Sequence, residues 1–254
     1  GNLLVILVIL RTKKLRTPTN IFLLNLAVAD LLFLLTLPPW ALYYLVGGDW
    51  VFGDALCKLV GALFVVNGYA SILLLTAISI DRYLAIVHPL RYRRIRTPRR
   101  AKVLILLVWV LALLLSLPPL LFSWLRTVEE GNTTVCLIDF PEESVKRSYV
   151  LLSTLVGFLL PLLVILVCYT RILRTLRKSA RSQRSLKRRS SSERKAAKML
   201  LVVVVVFVLC WLPYHIVLLL DSLCLLSIWR VLPTALLITL WLAYVNSCLN
   251  PIIY

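Results

Sequence analysis

The sequence predicts an all-α membrane protein, a seven-transmembrane helix bundle whose first helix is truncated. Three observations predict it. Of the 254 residues, 61% are hydrophobic, and mean hydropathy is +0.92, well above the roughly half-apolar composition of a soluble domain. The apolar residues are gathered into runs of bilayer length. The cationic residues are gathered between alternate runs.

A bilayer crossing takes roughly 20 mostly apolar residues. Six runs qualify, at about 19–45, 55–87, 101–124, 148–172, 197–222 and 231–254. Residues 1–10 span about 15 Å as a helix and read either as a short interfacial segment or as part of a longer helix. The charge pattern requires a crossing there, which favours the second reading. Met199 is the single methionine, so the chain reads as part of a longer translation product, with no cleavable signal segment. Residues 1–254 read as one domain, and only the Ser/Arg stretch from Lys178 to Arg194 reads as mobile loop.

Loop charge sets the orientation. The loops at 11–17, 88–102 (with Arg82 just before it) and 171–198 carry 24 of the 29 lysines and arginines. The opposite side holds eight of the eleven acids. Basic loops stay cytoplasmic, so the N-terminus is expected outside and the C-terminus inside. The net charge of +18 is therefore a mark of topology, and no nucleic-acid partner is expected. Asn132-Thr133-Thr134 is a glycosylation sequon on the outer side, with a chance match as its alternative. Cys57 and Cys136 also lie outside, where disulfides persist. Cys168, Cys210 and Cys248 sit inside spans and read as packing residues, and Cys224 has no assigned state.

Ionisable groups inside a bilayer cost roughly 2.5–3.5 kcal/mol on insertion scales, so each is a functional candidate. Asp30 lies about 18 Å into the second span. Asn67 and Ser71 share one face of the third, and Asn246 and Asn250 one face of the seventh, with Ser247 beside them. Such an oxygen-rich set suits a hard cation such as Na⁺. A hydrogen-bonded cluster of protonated Asp30 and water is the alternative. Pro38 and Pro39, Pro118 and Pro119, Pro161, Pro213 and Pro251 each remove a backbone hydrogen bond. Five kinked spans suggest a bundle that bends to work.

The motifs then resemble a known family. Asp81-Arg82-Tyr83 closes the third span, Cys210-Trp211-Leu212-Pro213 lies in the sixth, and Asn250-Pro251-Ile252-Ile253-Tyr254 ends the seventh. Together with Gly1-Asn2, Asp30, Trp109, Cys57 with Cys136, and Pro161 followed by Tyr169, this ordered set resembles a rhodopsin-like G protein-coupled receptor over essentially the whole chain. The resemblance implies a Cys57–Cys136 disulfide and a sodium pocket of Asp30, Asn67, Ser71, Asn246 and Asn250. It implies a switch for G protein coupling built from Asp81, Arg82, Tyr83, Tyr169, Glu193, Asn250, Pro251 and Tyr254. Phe207, Trp211 and Pro213 resemble a connector beneath a ligand pocket that would include Trp40, Phe64, Tyr214, His215 and Tyr244. The implied partners are an extracellular ligand, a heterotrimeric G protein and arrestin, around the lipid bilayer of the plasma membrane, with no required cofactor.

The ligand class narrows by elimination. No lysine lies in the seventh span, which excludes a retinal Schiff base. Phe64 stands where amine receptors carry an aspartate, so small cationic amines are disfavoured. Thr36-Leu37-Pro38 and Trp40 are similar to chemokine and other peptide receptors, and the outer acids Glu129, Glu130, Asp139, Glu142 and Glu143 would steer a basic peptide, with solvated loop charge as the alternative. Residues 236–242 lack the acid such receptors carry there. Transporter, channel and enzyme readings each lack their sequence features: inverted repeats, a filter, or a nucleophile with a base. Runs such as Val202 to Val206 look averaged, which keeps a non-signalling consensus or designed scaffold as the alternative function.

Overall fold

In a computed structural model the chain is described over residues 1–12, 17–90, 92, 97–128, 133–180, 186–223 and 232–253. Among these residues six helices are long and apolar enough to cross a membrane: Pro18–Leu45, Gly53–Val87, Arg99–Phe122, Glu143–Lys178, Ala197–Ser222 and Thr234–Ile253. With the helix Asn2–Arg11 they make the seven-helix bundle that hydropathy predicts. Asn2–Arg11 packs on the second and seventh spans, and the Asn2 side-chain amide donates to the Ser247 carbonyl at 2.9 Å. That helix is therefore part of the bundle rather than an interfacial segment.

The second and fourth spans start with the same local chemistry. Thr17 and Thr97 accept from the backbone N–H groups of Asn20 and Arg100, and Pro18 and Pro98 follow at the first helical position. A hydroxyl there satisfies one orphan N–H, and proline has no N–H to lose. Both spans also break in the same way. Thr36 Oγ1 donates to Phe33 O at 2.7 Å just before Pro38-Pro39, and Ser116 Oγ donates to Leu113 O at 2.8 Å just before Pro118-Pro119. In each case the hydroxyl takes a carbonyl near the break, and the prolines restart a short helix, Leu37–Leu45 or Leu117–Phe122.

The third span, Gly53–Val87, is the axis of the bundle: 72% of its apolar window is buried, against 22% for the fourth. It packs against the second, fourth, fifth and sixth spans. The fifth span contains a π turn, Leu155–Leu159, immediately before Pro161. Proline cannot donate, and the widened turn absorbs that loss. The sixth helix, Leu186–Ser222, carries Pro213 within it, and the seventh, Leu232–Ile253, carries Pro251.

Two expectations need correction. The fourth span ends at Phe122 rather than 124, because Ser123 and Trp124 begin a strand. β1 (Ser123–Val128) pairs antiparallel with β2 (Thr133–Ile138), with Leu125 opposite Cys136. Past the last apolar helical turn, strand-favouring residues such as Trp124, Thr127 and Val128, facing Thr133 to Val135, favour a pleat over a helix. The Ser/Arg stretch is also not all loop. Lys178–Ala180 continues the fifth helix, and 186–194 opens the sixth, since Lys, Arg and Glu propagate a helix well in water. Cys168 and Cys210 are buried, whereas Cys248 is exposed.

Candidate functional site

At one end of the bundle a cover is built over the helices. Cys57, fully buried, is disulfide-bonded to Cys136 of β2. The Trp50 backbone N–H donates to Thr134 O at 2.7 Å, and Thr134 N–H donates to Asp49 Oδ1 at 2.7 Å. Trp50 is buried against Cys57 and Val60. Trp40 meets it edge to face at 5.5 Å. Lys146 Nζ reaches Asp221 Oδ2 at 2.7 Å, joining the fifth and sixth spans at the same end.

Beneath the cover lies a narrow, mainly apolar cavity lined by Phe64, Tyr69, Tyr149, Phe158, Trp211, Tyr214 and His215 among others. Several of its polar groups meet one another. Tyr69 hydrogen-bonds with Tyr149 and Ser153, and His215 Nδ1 lies 3.2 Å from Thr154 Oγ1. The imidazole also stacks on Phe158 with centroids 4.5 Å apart. Of the five residues expected in a pocket, Phe64, Tyr214 and His215 line this cavity. Trp40 is instead packed under the cover. Tyr244 stacks on Phe33 at 4.3 Å and its hydroxyl meets Thr36 Oγ1 at 2.7 Å.

The cavity floor is an aromatic chain. Phe64 lies 5.2 Å from Trp211, Trp211 lies 5.9 Å from Phe207, and Phe207 lies 6.2 Å from Phe158. Pro213 follows Trp211 by two residues in the same helix. The Trp211 indole N–H is buried with no hydrogen-bond partner among the described residues.

A polar core occupies the middle of the bundle. Asp30 is fully buried, and its carboxylate accepts from Asn67 Nδ2 at 3.3 Å and Asn250 Nδ2 at 2.8 Å. Asn67 Oδ1, Ser71 Oγ, Asn246 Oδ1, Ser247 Oγ and Asn250 Oδ1 are all buried without a partner among the described residues. Buried polar atoms are normally satisfied, so a carboxylate with five orphaned oxygens fits a hard cation with its water. Asn250 belongs to this core.

At the basic end, Asp81 is held from two sides. Thr19 Oγ1 donates to its Oδ2 at 2.7 Å, and the Tyr92 hydroxyl donates to Oδ1. Tyr83 OH lies 3.2 Å from His88 Nε2. Tyr169 is buried. Glu193 lies in the sixth helix, but its side chain is outside the described residues, as are Tyr254 and the sequon residue Asn132. Pro251 sits beside Gly1, where an added β-carbon would meet its Cγ at 3.0 Å.

Sequence reasoning missed several partners. Asn25 Oδ1 accepts from Trp109 Nε1 at 3.0 Å across the second and fourth spans. Thr19, Tyr92, Thr36, Tyr149 and Thr154 likewise pair across elements. An asparagine inside an apolar run was the one signal that pointed to Asn25.

Residues 1–254 match the family described as 7 transmembrane receptor (rhodopsin family). The chain is 42% identical to the Type-1 angiotensin II receptor of Bos taurus over 262 residues, covering 100% of this chain and 72% of the relative. The Homo sapiens receptor of the same name gives 42% with the same coverage, and the Rattus norvegicus Type-1 angiotensin II receptor B gives 41%. With an aromatic floor, a buried carboxylate core and an arginine-bearing basic end stacked along one helix axis, the chain belongs to the rhodopsin family of seven-transmembrane receptors.

Proposed function

We propose that this receptor converts binding of an extracellular peptide into activation of a heterotrimeric G protein, by outward movement of the basic end of the sixth helix. One observation carries the reading: Trp211 is both a wall of the cavity and a link to Phe207 below it, two residues from the pivot Pro213. A ligand that pushes on the indole therefore acts at the bend of the helix that must move. The peptide class follows from relatives named as receptors for angiotensin II. It also agrees with the peptide-receptor resemblance of Thr36-Leu37-Pro38 and Trp40.

In this reading the disulfide end faces outside and the basic end faces the cytoplasm, where arrestin is a second partner. Asp30, Asn67, Ser71, Asn246 and Asn250 would hold Na⁺. The ion would favour the resting state, through its differential affinity for the two states. The test is nucleotide exchange on a G protein in reconstituted membranes, with angiotensin II as the first peptide probe. Exchange above receptor-free membranes, suppressed by Arg82→Ala, supports the proposal. Exchange equal to that of receptor-free membranes across G protein classes favours the non-signalling scaffold.

A further inference from the structure

The cavity beneath the cover has no charged wall. Among the described residues that line it there is no Asp, Glu, Lys or Arg. His215 is its one imidazole, with Nδ1 against the Thr154 hydroxyl and its face on Phe158, and no acid lines the cavity opposite it. What the walls offer instead is hydroxyls and rings. Tyr69, Tyr149 and Ser153 meet through their hydroxyls, and each hydroxyl can donate or accept. Phe64 and Trp211 stand edge-on to Tyr214, with centroids 5.0 and 6.0 Å away.

Two charges stand one helical turn nearer the cover. Lys146 precedes the wall residue Tyr149 by three on the fifth span, and Asp221 follows the wall residue Leu218 by three on the sixth. Residues three apart share a helix face and differ in height by about 4.5 Å. At the mouth of the cavity these two face each other. Lys146 Nζ lies 2.7 Å from Asp221 Oδ2, with side chains only 26% and 20% exposed. Each therefore takes up the charge that the other would present to a ligand.

An ionised ligand end entering this cavity would leave water without gaining a counter-ion. That costs far more than moving a neutral polar group onto waiting hydroxyls. We infer that the cavity seats an uncharged ligand end, an aromatic group bearing a neutral amide or hydroxyl, and that Lys146 and Asp221 enforce this by occupying one another. An amide both donates and accepts, which matches the tyrosine and serine hydroxyls, and a ring matches the aromatic walls. For a peptide, the end that enters is a capped terminus or a neutral side chain, not a free carboxylate or ammonium. This specificity rests on the cavity being the ligand site, and not on G protein coupling.

The experiment is a series of thermal melts of the purified receptor, without peptide or G protein. It compares 3-phenylpropanamide, 3-phenylpropanoate and 3-phenylpropylammonium at millimolar concentrations, since a bound ligand raises the melting temperature with its saturation. The amide is expected to bind about tenfold more tightly than either ion. Leu218→Trp should abolish the amide's shift by filling the seat, and Val65→Phe is the second filling variant if the first melts early. Asp221→Asn removes the close partner of Lys146 and should raise propanoate affinity by up to about fivefold, the scale of a partly solvated pair. Lys146→Gln should do the same for the ammonium. No shift by any of the three probes, or an amide shift retained in both filling variants, overturns the cavity as the ligand seat. Equal shifts by all three overturn the neutral selectivity while leaving the seat in place. Parental ranking in both Asp221→Asn and Lys146→Gln overturns the role of the pair.

Discussion

Gly68 of the third span and Trp211 of the sixth approach so closely that a β-carbon at residue 68 would lie 2.8 Å from the indole Cη2 and 2.9 Å from Cζ3. No rotation of a methyl group relieves such a contact; the indole or the helix must move. Gly68→Ala is therefore expected to cost about 1–3 kcal/mol and to alter ligand-independent nucleotide exchange, since Trp211 is the link to Phe207. Thermal melts and basal exchange of the variant check both parts. Unchanged values in the two assays would mean the connector has slack that the packing denies.

Asp30→Asn should abolish any sodium dependence of agonist binding while leaving the receptor folded. The substitution keeps the volume and an acceptor oxygen for one of the two amide donors, Asn67 or Asn250, but removes the charge that draws a cation. Radioligand competition with sodium against a large organic cation is the measurement. An undiminished sodium response in the variant refutes the site.

Replacing Cys57 and Cys136 by serine opens a loop spanning 79 residues of sequence separation. In the chain-entropy account this is worth on the order of 4–5 kcal/mol, and the cover made by Trp50 and Thr134 should loosen with it. A fall in melting temperature with loss of peptide affinity is expected. Mass spectrometry of unreduced peptides from the parent checks the bond itself.

Tyr92→Phe removes one of two donors to Asp81 and leaves Thr19 in place. A hydrogen bond to a charged group contributes about 1.5–3 kcal/mol. Its loss should free the Asp81 end of the third span and raise basal exchange. Thr19→Val should act in the same direction, and opposite signs for the two would show that Asp81 is not what they share.

Glu193→Ala should raise ligand-independent exchange, because twenty residues of helix, about 30 Å, carry Glu193 from Pro213 to the level of Arg82. A solvated ion pair contributes about 0–1 kcal/mol, so the increase should be severalfold at most. Spin labels on the third and sixth spans should show a longer distance population in the variant. The same distribution in parent and variant, with and without G protein, would rule the switch out.

Sequence alone determined the spans, their alternation of basic and acidic loops, and the order of the motifs. Each is local: the bilayer demands about 20 apolar residues in a row, and a proline cancels its own hydrogen bond wherever it stands. Asp30, Asn67 and Asn246 were legible for the same reason, since a polar group in an apolar run is conspicuous. Tertiary structure decided which groups meet. Thr36 finds Tyr244 across 208 residues, Asn25 finds Trp109 across 84, and Tyr92 finds Asp81 from beyond the end of the third span. A threonine or tyrosine is equally at home facing lipid edge, water or a partner, so its own residue type does not say which. The hairpin that covers the cavity escaped hydropathy because its stability comes from pairing β1 with β2 and from Cys57, not from burial in the bilayer. The π turn before Pro161 escaped it because one widened turn leaves the apolar pattern of the fifth span unchanged. Hydropathy reports the free energy of each residue against lipid, whereas partnering depends on where two distant backbones come to lie.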